Sequence, residues 1–212
     1  MRVPSRLFEL TRSATLSWSQ TQLRVGKCTY LKVTAELVYA ASALLCAVVG
    51  SVYDVTRHRI PNFLTLPAIV AGLTLHLLLG GPRQLVAAAM AGLLCGLIFL
   101  VFHLAGGMGG GDVKLIAAVG CLSGLSLVGS LLIFTSLAGG VMAVGLALYH
   151  HRIKETLQNV FALLVHHKSE GLTPHPELNI GNQQTLRLPY GLAIAAGSAF
   201  SLCLLIIQTG IR

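Results

Sequence analysis

Charge is scarce in this sequence. Of its 212 residues only 10% are Asp, Glu, Lys or Arg, against a hydrophobic share of 54% and a mean hydropathy of +0.76. A soluble single domain is excluded, because a core of this size cannot hide so much apolar surface from water. Cysteine is also sparse. Cys28, Cys46, Cys95, Cys121 and Cys203 form no C-x-x-C motif, and four of them lie in apolar stretches where a thiol acts as a small hydrophobe. Neither a disulfide framework nor a structural zinc site is expected. Lys and Arg give a formal net charge of +8, but they are scattered through tails and short loops without interleaved aromatics. That distribution argues against a nucleic-acid partner. No apolar core of signal-peptide type precedes residue 34, so a cleaved export signal is not expected either.

What the sequence has is apolar runs. Six stretches, at 34–53, 62–80, 84–105, 113–128, 129–149 and 188–208, approach the roughly 20 residues a helix needs to cross a lipid bilayer. They predict an all-α, polytopic membrane bundle of about six transmembrane helices over residues 34–212, preceded by a basic tail at 1–33. Gly80-Gly81-Pro82 is turn chemistry and predicts a tight antiparallel hairpin between the second and third runs. The apolar region from Val113 to Tyr149 is too long for one crossing. Ser123-Gly124 and Gly129-Ser130 offer places to turn.

Parity then fixes faces. Two crossings separate the end of the first run from the end of the third, so both ends emerge on one side, together with the polar segment 150–187. Arg57, Arg59, Lys114, Arg152, Lys154, Lys168 and Arg187 fall on that side, and Arg83 and Arg212 on the other. The positive-inside rule makes the shared side cytoplasmic. The tail disagrees, since Arg2, Arg6, Arg12, Arg24, Lys27 and Lys32 would lie outside. A wrongly assigned start, a disordered or surface-lying segment and an inverted topology all remain open readings of it.

The acidic residues number seven, and just two of them, Asp54 and Asp112, are aspartates. Asp54 ends the first run and Asp112 enters the fourth, so parity puts both on one face. A carboxylate beside hydrocarbon is a functional candidate by default. Two carboxylates brought together share a proton, which gives a base for activating water and an acid for polarising a carbonyl. The bland reading is that each is an interfacial helix-end residue, with Asp112 as an N-cap. Their settings favour chemistry. Asp54-Val-Thr-Arg-His-Arg-Ile60-Pro61-Asn62 leaves the membrane and re-enters at a proline suited to a first helical turn. Gly106-Gly107-Met108-Gly109-Gly110-Gly111-Asp112-Val113-Lys114-Leu115 presents glycines that permit positive φ and leave room for an approaching peptide. A phosphate-binding loop would need Gly-Lys and then Ser or Thr, whereas Gly111 is followed by an acid. A dinucleotide fold would need a preceding strand.

The Asp54…Ile60-Pro61-Asn62 segment and the Gly109-Gly110-Gly111-Asp112-Val113-Lys114-Leu115 segment resemble the two signatures of the type IV prepilin peptidases, which are Gly-x-Gly-Asp membrane aspartyl proteases. The resemblance runs from about residue 35 to 208 in span order and length. It implies catalytic roles for Asp54 and Asp112 and for no other residue. From the residues themselves, Gly109, Gly110 and Gly111 are candidates for the substrate loop and Lys114 and Asn62 are candidates for supporting the pair. No cofactor or metal is expected. The implied substrate is a prepilin or pseudopilin whose basic leader ends in glycine ahead of an apolar helix, cut at the cytoplasmic face of the bacterial inner membrane. Larger family members carry paired C-x-x-C motifs and methylate the new N-terminus. The resemblance here is to the short, peptidase-only form of tight-adherence or Flp pilus systems, with no methyl transfer expected. The rival readings are a small transporter or channel component using Asp54 and Asp112 as a cation or proton site, and a non-catalytic assembly subunit. Transporters more often carry mid-span carboxylates and internal repeats, which this sequence lacks.

Other features point to packing. His150, His151, His166, His167 and His175 lack Cys partners or a His-x3-His pattern and read as a solvated loop. His58 reads as an interfacial residue near Asp54, and His76 and His103 as interhelical hydrogen-bonding groups. Lys114 lies close enough to Asp112 to tune it, or reaches the headgroups instead. Gly92 and Gly96 give a small-x3-small packing face. Leu188-Pro189-Tyr190-Gly191 opens the last run, either as a border of the site or as an ordinary first-turn proline with no such role.

Overall fold

The computed structural model describes residues 32–57, 59–105, 108–150 and 190–210. Five helices carry them: α1 (Lys32–Arg57), α2 (Asn62–Leu104), α3 (Gly110–Ser123), α4 (Leu125–Tyr149) and α5 (Tyr190–Gly210). The tail at 1–31, His58, Gly106, Gly107, the polar segment with His151, His166, His167 and His175, and Leu188-Pro189 lie outside the described residues. Helices α1, α2, α4 and α5 are long and apolar enough to cross a membrane.

Four such helices, against about six expected, differ at two places. The first is α2, whose 43 residues would measure about 65 Å if straight, twice a bilayer core. Its backbone leaves helical geometry at Gly81 (φ 76°, ψ −173°), immediately before Pro82. Cys121 is met from both sides of that break. A Cβ at Gly72 would come within 3.1 Å of the Cys121 carbonyl, and one at Gly92 would run into the Cys121 Sγ. Gly72 and Gly92 would stand about 30 Å apart on a straight helix. Touching the same residue requires that 62–80 and 82–104 fold back on each other, as the Gly-Gly-Pro turn predicts.

The second place is α3, at 14 residues too short to count as a span. The break between α3 and α4 falls at Gly124, five residues ahead of the expected 128/129 boundary. Gly124 takes φ 72°, a left-handed conformation suited to a helix stop, and its N–H caps the Gly120 carbonyl at 3.0 Å. Gly129-Ser130 stays helical within α4. The Ser130 hydroxyl bonds back to the Leu127 carbonyl at 2.9 Å and lies 2.7 Å from the Ser201 hydroxyl of α5.

Helix α3 is the axis of the bundle, with Leu115, Ile116, Ala118 and Val119 fully enclosed. Lipid offers no hydrophobic drive for helices to associate, so close backbone approach has to supply the packing. Gly92 and Gly96 do so as expected: a Cβ at Gly92 would lie 2.9 Å from the Ala117 carbonyl oxygen, and one at Gly96 would lie 3.3 Å from the Ala117 Cβ. Gly120 returns the contact, since a Cβ there would lie 3.1 Å from the Ala91 carbonyl oxygen. Cys46, Cys95 and Cys121 are buried and unoxidised among these small residues. Outward faces are apolar, as at Leu66, Val70, Leu78 and Ile133.

Candidate active site

Asp54 occupies the last turn of α1 rather than following it, because that helix continues to Arg57. Asp112 lies in the first turn of α3, ahead of the apolar run and outside the four long helices. The α2 hairpin brings the two helix ends together. Gly111 packs on Ile60, with its missing Cβ 3.3 Å from the Ile60 Cβ, and the Lys114 Nζ donates to the Asn62 Oδ1 at 3.0 Å. Tyr53 meets Phe63 edge-on at 5.9 Å across the same turn.

The two carboxyl groups have different surroundings. Asp54 is half-buried, and its Oδ2 accepts the Gly191 N–H at 3.0 Å, at the N-terminal end of α5, where the helix dipole favours negative charge. No side chain larger than hydrogen fits at Gly191, since a Cβ there would lie 3.0 Å from both the Asp54 Oδ2 and the Ser51 Cα. Asp112 is 7% exposed, and its Oδ1 is buried without a hydrogen-bond partner among the described residues. Burial, and after it the charge of Asp54, pushes the Asp112 carboxyl up to about 7. Backbone hydrogen bonding at Gly109 and the nearby His103 offset part of that rise. Tyr190 is within electrostatic reach of Asp112 as well.

Glycine serves this site differently from the expectation. Gly110 and Gly111 form the first turn of α3, so of the three candidate substrate-loop residues only Gly109 precedes the helix. Gly109 has φ −73°, and among the described glycines positive φ occurs only at Gly81 and Gly124. Smallness is what counts. A Cβ at Gly109 would lie 3.1 Å from the Asp112 Oδ2, and one at Gly110 would touch His103. The His103 Nδ1–H in turn donates to the Met108 carbonyl at 2.8 Å, fixing the approach to α3. Lys114 and Asn62 bond to each other, so Lys114 joins α3 to the start of α2. Among the described residues no group of three His, Cys, Asp or Glu side chains could hold a metal.

A carboxyl pair in unequal surroundings at one end of a helical bundle suits general acid–base hydrolysis. Residues 41–144, which include both aspartates, match the model of the type IV leader peptidase family. The match spans just under half of the chain. Two relatives are named "Prepilin leader peptidase/N-methyltransferase": one from Aeromonas hydrophila is 39% identical over 110 residues, and one from Aeromonas salmonicida is 38% identical over 110 residues. Each alignment covers 48% of this chain and 38% of the relative, so the chain matches little more than a third of the length of these proteins. No solved structure matches.

The site residue that sequence reasoning placed only loosely is Gly191. Its signal was the Pro189-Tyr190-Gly191 opening of a helix, but a first-turn proline needs no catalytic neighbour. The partner it meets, Asp54, is 137 positions away.

Proposed function

We propose that this protein is a membrane aspartic endopeptidase that removes the basic leader from type IV prepilins or pseudopilins. The cut falls after a glycine at the cytoplasmic face of the bacterial inner membrane. The observation that carries this reading is the buried Asp112 carboxyl, held near neutrality by burial and by Asp54 at the same end of the bundle. Arg57, Arg59 and Lys114 lie near that end, and the positive-inside rule supports reading it as cytoplasmic.

The unequal surroundings divide the work. Asp54, stabilised as a carboxylate by the Gly191 N–H, takes a proton from a water whose oxygen attacks the scissile carbonyl carbon. Asp112, protonated, hydrogen-bonds the carbonyl oxygen and stabilises the charge that develops on it. As the tetrahedral intermediate collapses, the C–N bond breaks and the proton held by Asp54 passes to the leaving amine. Both carboxyl groups return to their starting states. The reading is of a peptidase alone. The family match that supports it covers the aspartates, and methyl transfer is left to the longer relatives whose names include it.

Co-expression with a prepilin tests this directly. A mobility shift of the pilin with the wild type, absent with Asp54→Asn and with Asp112→Asn although both insert normally, is the expected result. Cleavage by either variant would remove the assignment.

A further inference from the structure

At the far end of α3 from Asp112, a second ionisable side chain is enclosed that the reaction does not use. His76, on the first arm of α2, is 1% exposed. Its Nε2 lies 3.2 Å from the Leu122 carbonyl oxygen in the last turn of α3. A carbonyl can only accept, so Nε2 carries the hydrogen and Nδ1 is left as an acceptor, which has no partner among the described residues. The ring stacks on Tyr39 of α1 with centroids 3.7 Å apart and planes at 24°. Gly124 makes room for it: a Cβ there would lie 2.5 Å from the His76 Cε1. One turn earlier on α2, a Cβ at Gly72 would lie 3.0 Å from the Leu122 backbone nitrogen.

An enclosed nitrogen without a partner is unfavourable, and a leucine would fill the space without that penalty. What the imidazole supplies beyond volume is a donor for a helix-end carbonyl and a flat face for Tyr39. Those contacts join α1, which carries Asp54, to α3, which carries Asp112. We propose that His76 is a positioning residue that fixes the register of α1 against α3, and through it the separation of the two aspartates. The inference rests on the reading of that pair as the proton-sharing groups. Tyr39 is about 22 Å along α1 from Asp54, and Leu122 is about 15 Å along α3 from Asp112, so the tie acts through two stiff helices. Around Asp112 the charged or titratable groups are Asp54 from α1, His103 from α2 and Tyr190 from α5. A looser register weakens the first of these influences most directly.

The test uses the full chain in phospholipid vesicles and compares His76→Phe, His76→Gln and Tyr39→Leu. Each is scored for prepilin cleavage against pH. Each is also scored for disulfide formation between Ile60→Cys and Gly111→Cys, in a background where the native cysteines are replaced; these positions are close enough to bridge. His76→Phe keeps the stack and loses the donor. Its cleavage is expected to fall about tenfold, as a misplacement near 1 Å can cause, with the alkaline limb moved to lower pH and slower cross-linking. His76→Gln, whose amide can reach Leu122, is expected to recover most of the rate. A wild-type pH profile together with wild-type cross-linking in His76→Phe overturns the proposal. Should that variant fail to accumulate, Tyr39→Leu decides on the same two readouts. Cleavage by Asp54→Asn would instead remove the catalytic reading, and cross-linking alone would then judge the His76 tie.

Discussion

The two ends of α3 are built on opposite terms. At its start, Asp112 is buried with one carboxyl oxygen unpartnered and a second acid nearby, an arrangement that opposes ionisation. At its finish, the Leu122 and Gly120 carbonyls are each met by a hydrogen-bond donor. Small residues along its length pack it against both arms of α2. Unfavourable electrostatics at one end is tolerated because the rest of the helix is over-determined by packing. This is the distribution expected where a functional group is held in a state it would not choose alone.

The harshest way to break that comparison is to remove the acids. Asp112→Asn and Asp54→Asn are each expected to lower cleavage by about 10³-fold or more, measured as processed pilin per unit of inserted enzyme. Asp112→Asn should also stabilise the fold above neutral pH. With its folded value raised from 3.8 to about 7, Asp112 makes the native state bind more protons than the unfolded one across that window. Stability is therefore lost as pH rises through it, by about 4 kcal/mol at most, and stays low above it. The Asn variant should melt higher than wild type at pH 8, with the difference shrinking toward pH 5. A variant that melts lower at pH 8 would show that the Asp112 end is not strained.

Titration is the next largest lever. If protonated Asp112 is the acid, cleavage should fall about tenfold per pH unit above 7 and so about 100-fold by pH 9. A rate that is flat from pH 7 to 9 would remove Asp112 from that role. Gly191→Ala then probes the other acid. A methyl group forced to within 3.0 Å of Asp54 and the Ser51 backbone should displace the N–H that holds the carboxylate. About a tenfold loss of cleavage is expected from weakening one charge-assisted hydrogen bond. Wild-type cleavage would mean that the Gly191 N–H is not needed to hold Asp54.

Much of this was legible in the sequence, and the reasons differ along the chain. The α2 hairpin followed from Gly80-Gly81-Pro82 because turn chemistry is local. The meeting of Asp54 and Asp112 followed from counting crossings, which requires no side-chain detail. The stop at Gly124 was offered by the sequence beside Gly129-Ser130, and choosing between them needed His76, which occupies the space Gly124 leaves. Of the two uses expected of the glycines before Asp112, positive φ is not taken at Gly109, Gly110 or Gly111. Glycine serves both free backbone and close packing, and only the neighbours, here Ile60 and His103, show which applies. Lys114 had two expected destinations, Asp112 or the headgroups, and took a third at Asn62, across 52 positions.

That last contact supports the smallest prediction. Lys114 and Asn62 are joined by a hydrogen bond in reach of water, which contributes little to stability. Its use is to stop the first turn of α3 from sliding against the start of α2. Lys114→Met keeps the length of the side chain and removes the donor. It should lower cleavage by about threefold with an unchanged melting temperature and an unchanged alkaline limb. If the limb moves instead, the Lys114 charge acts on Asp112 directly, and the electrostatic contrast between the two ends of α3 includes a third group.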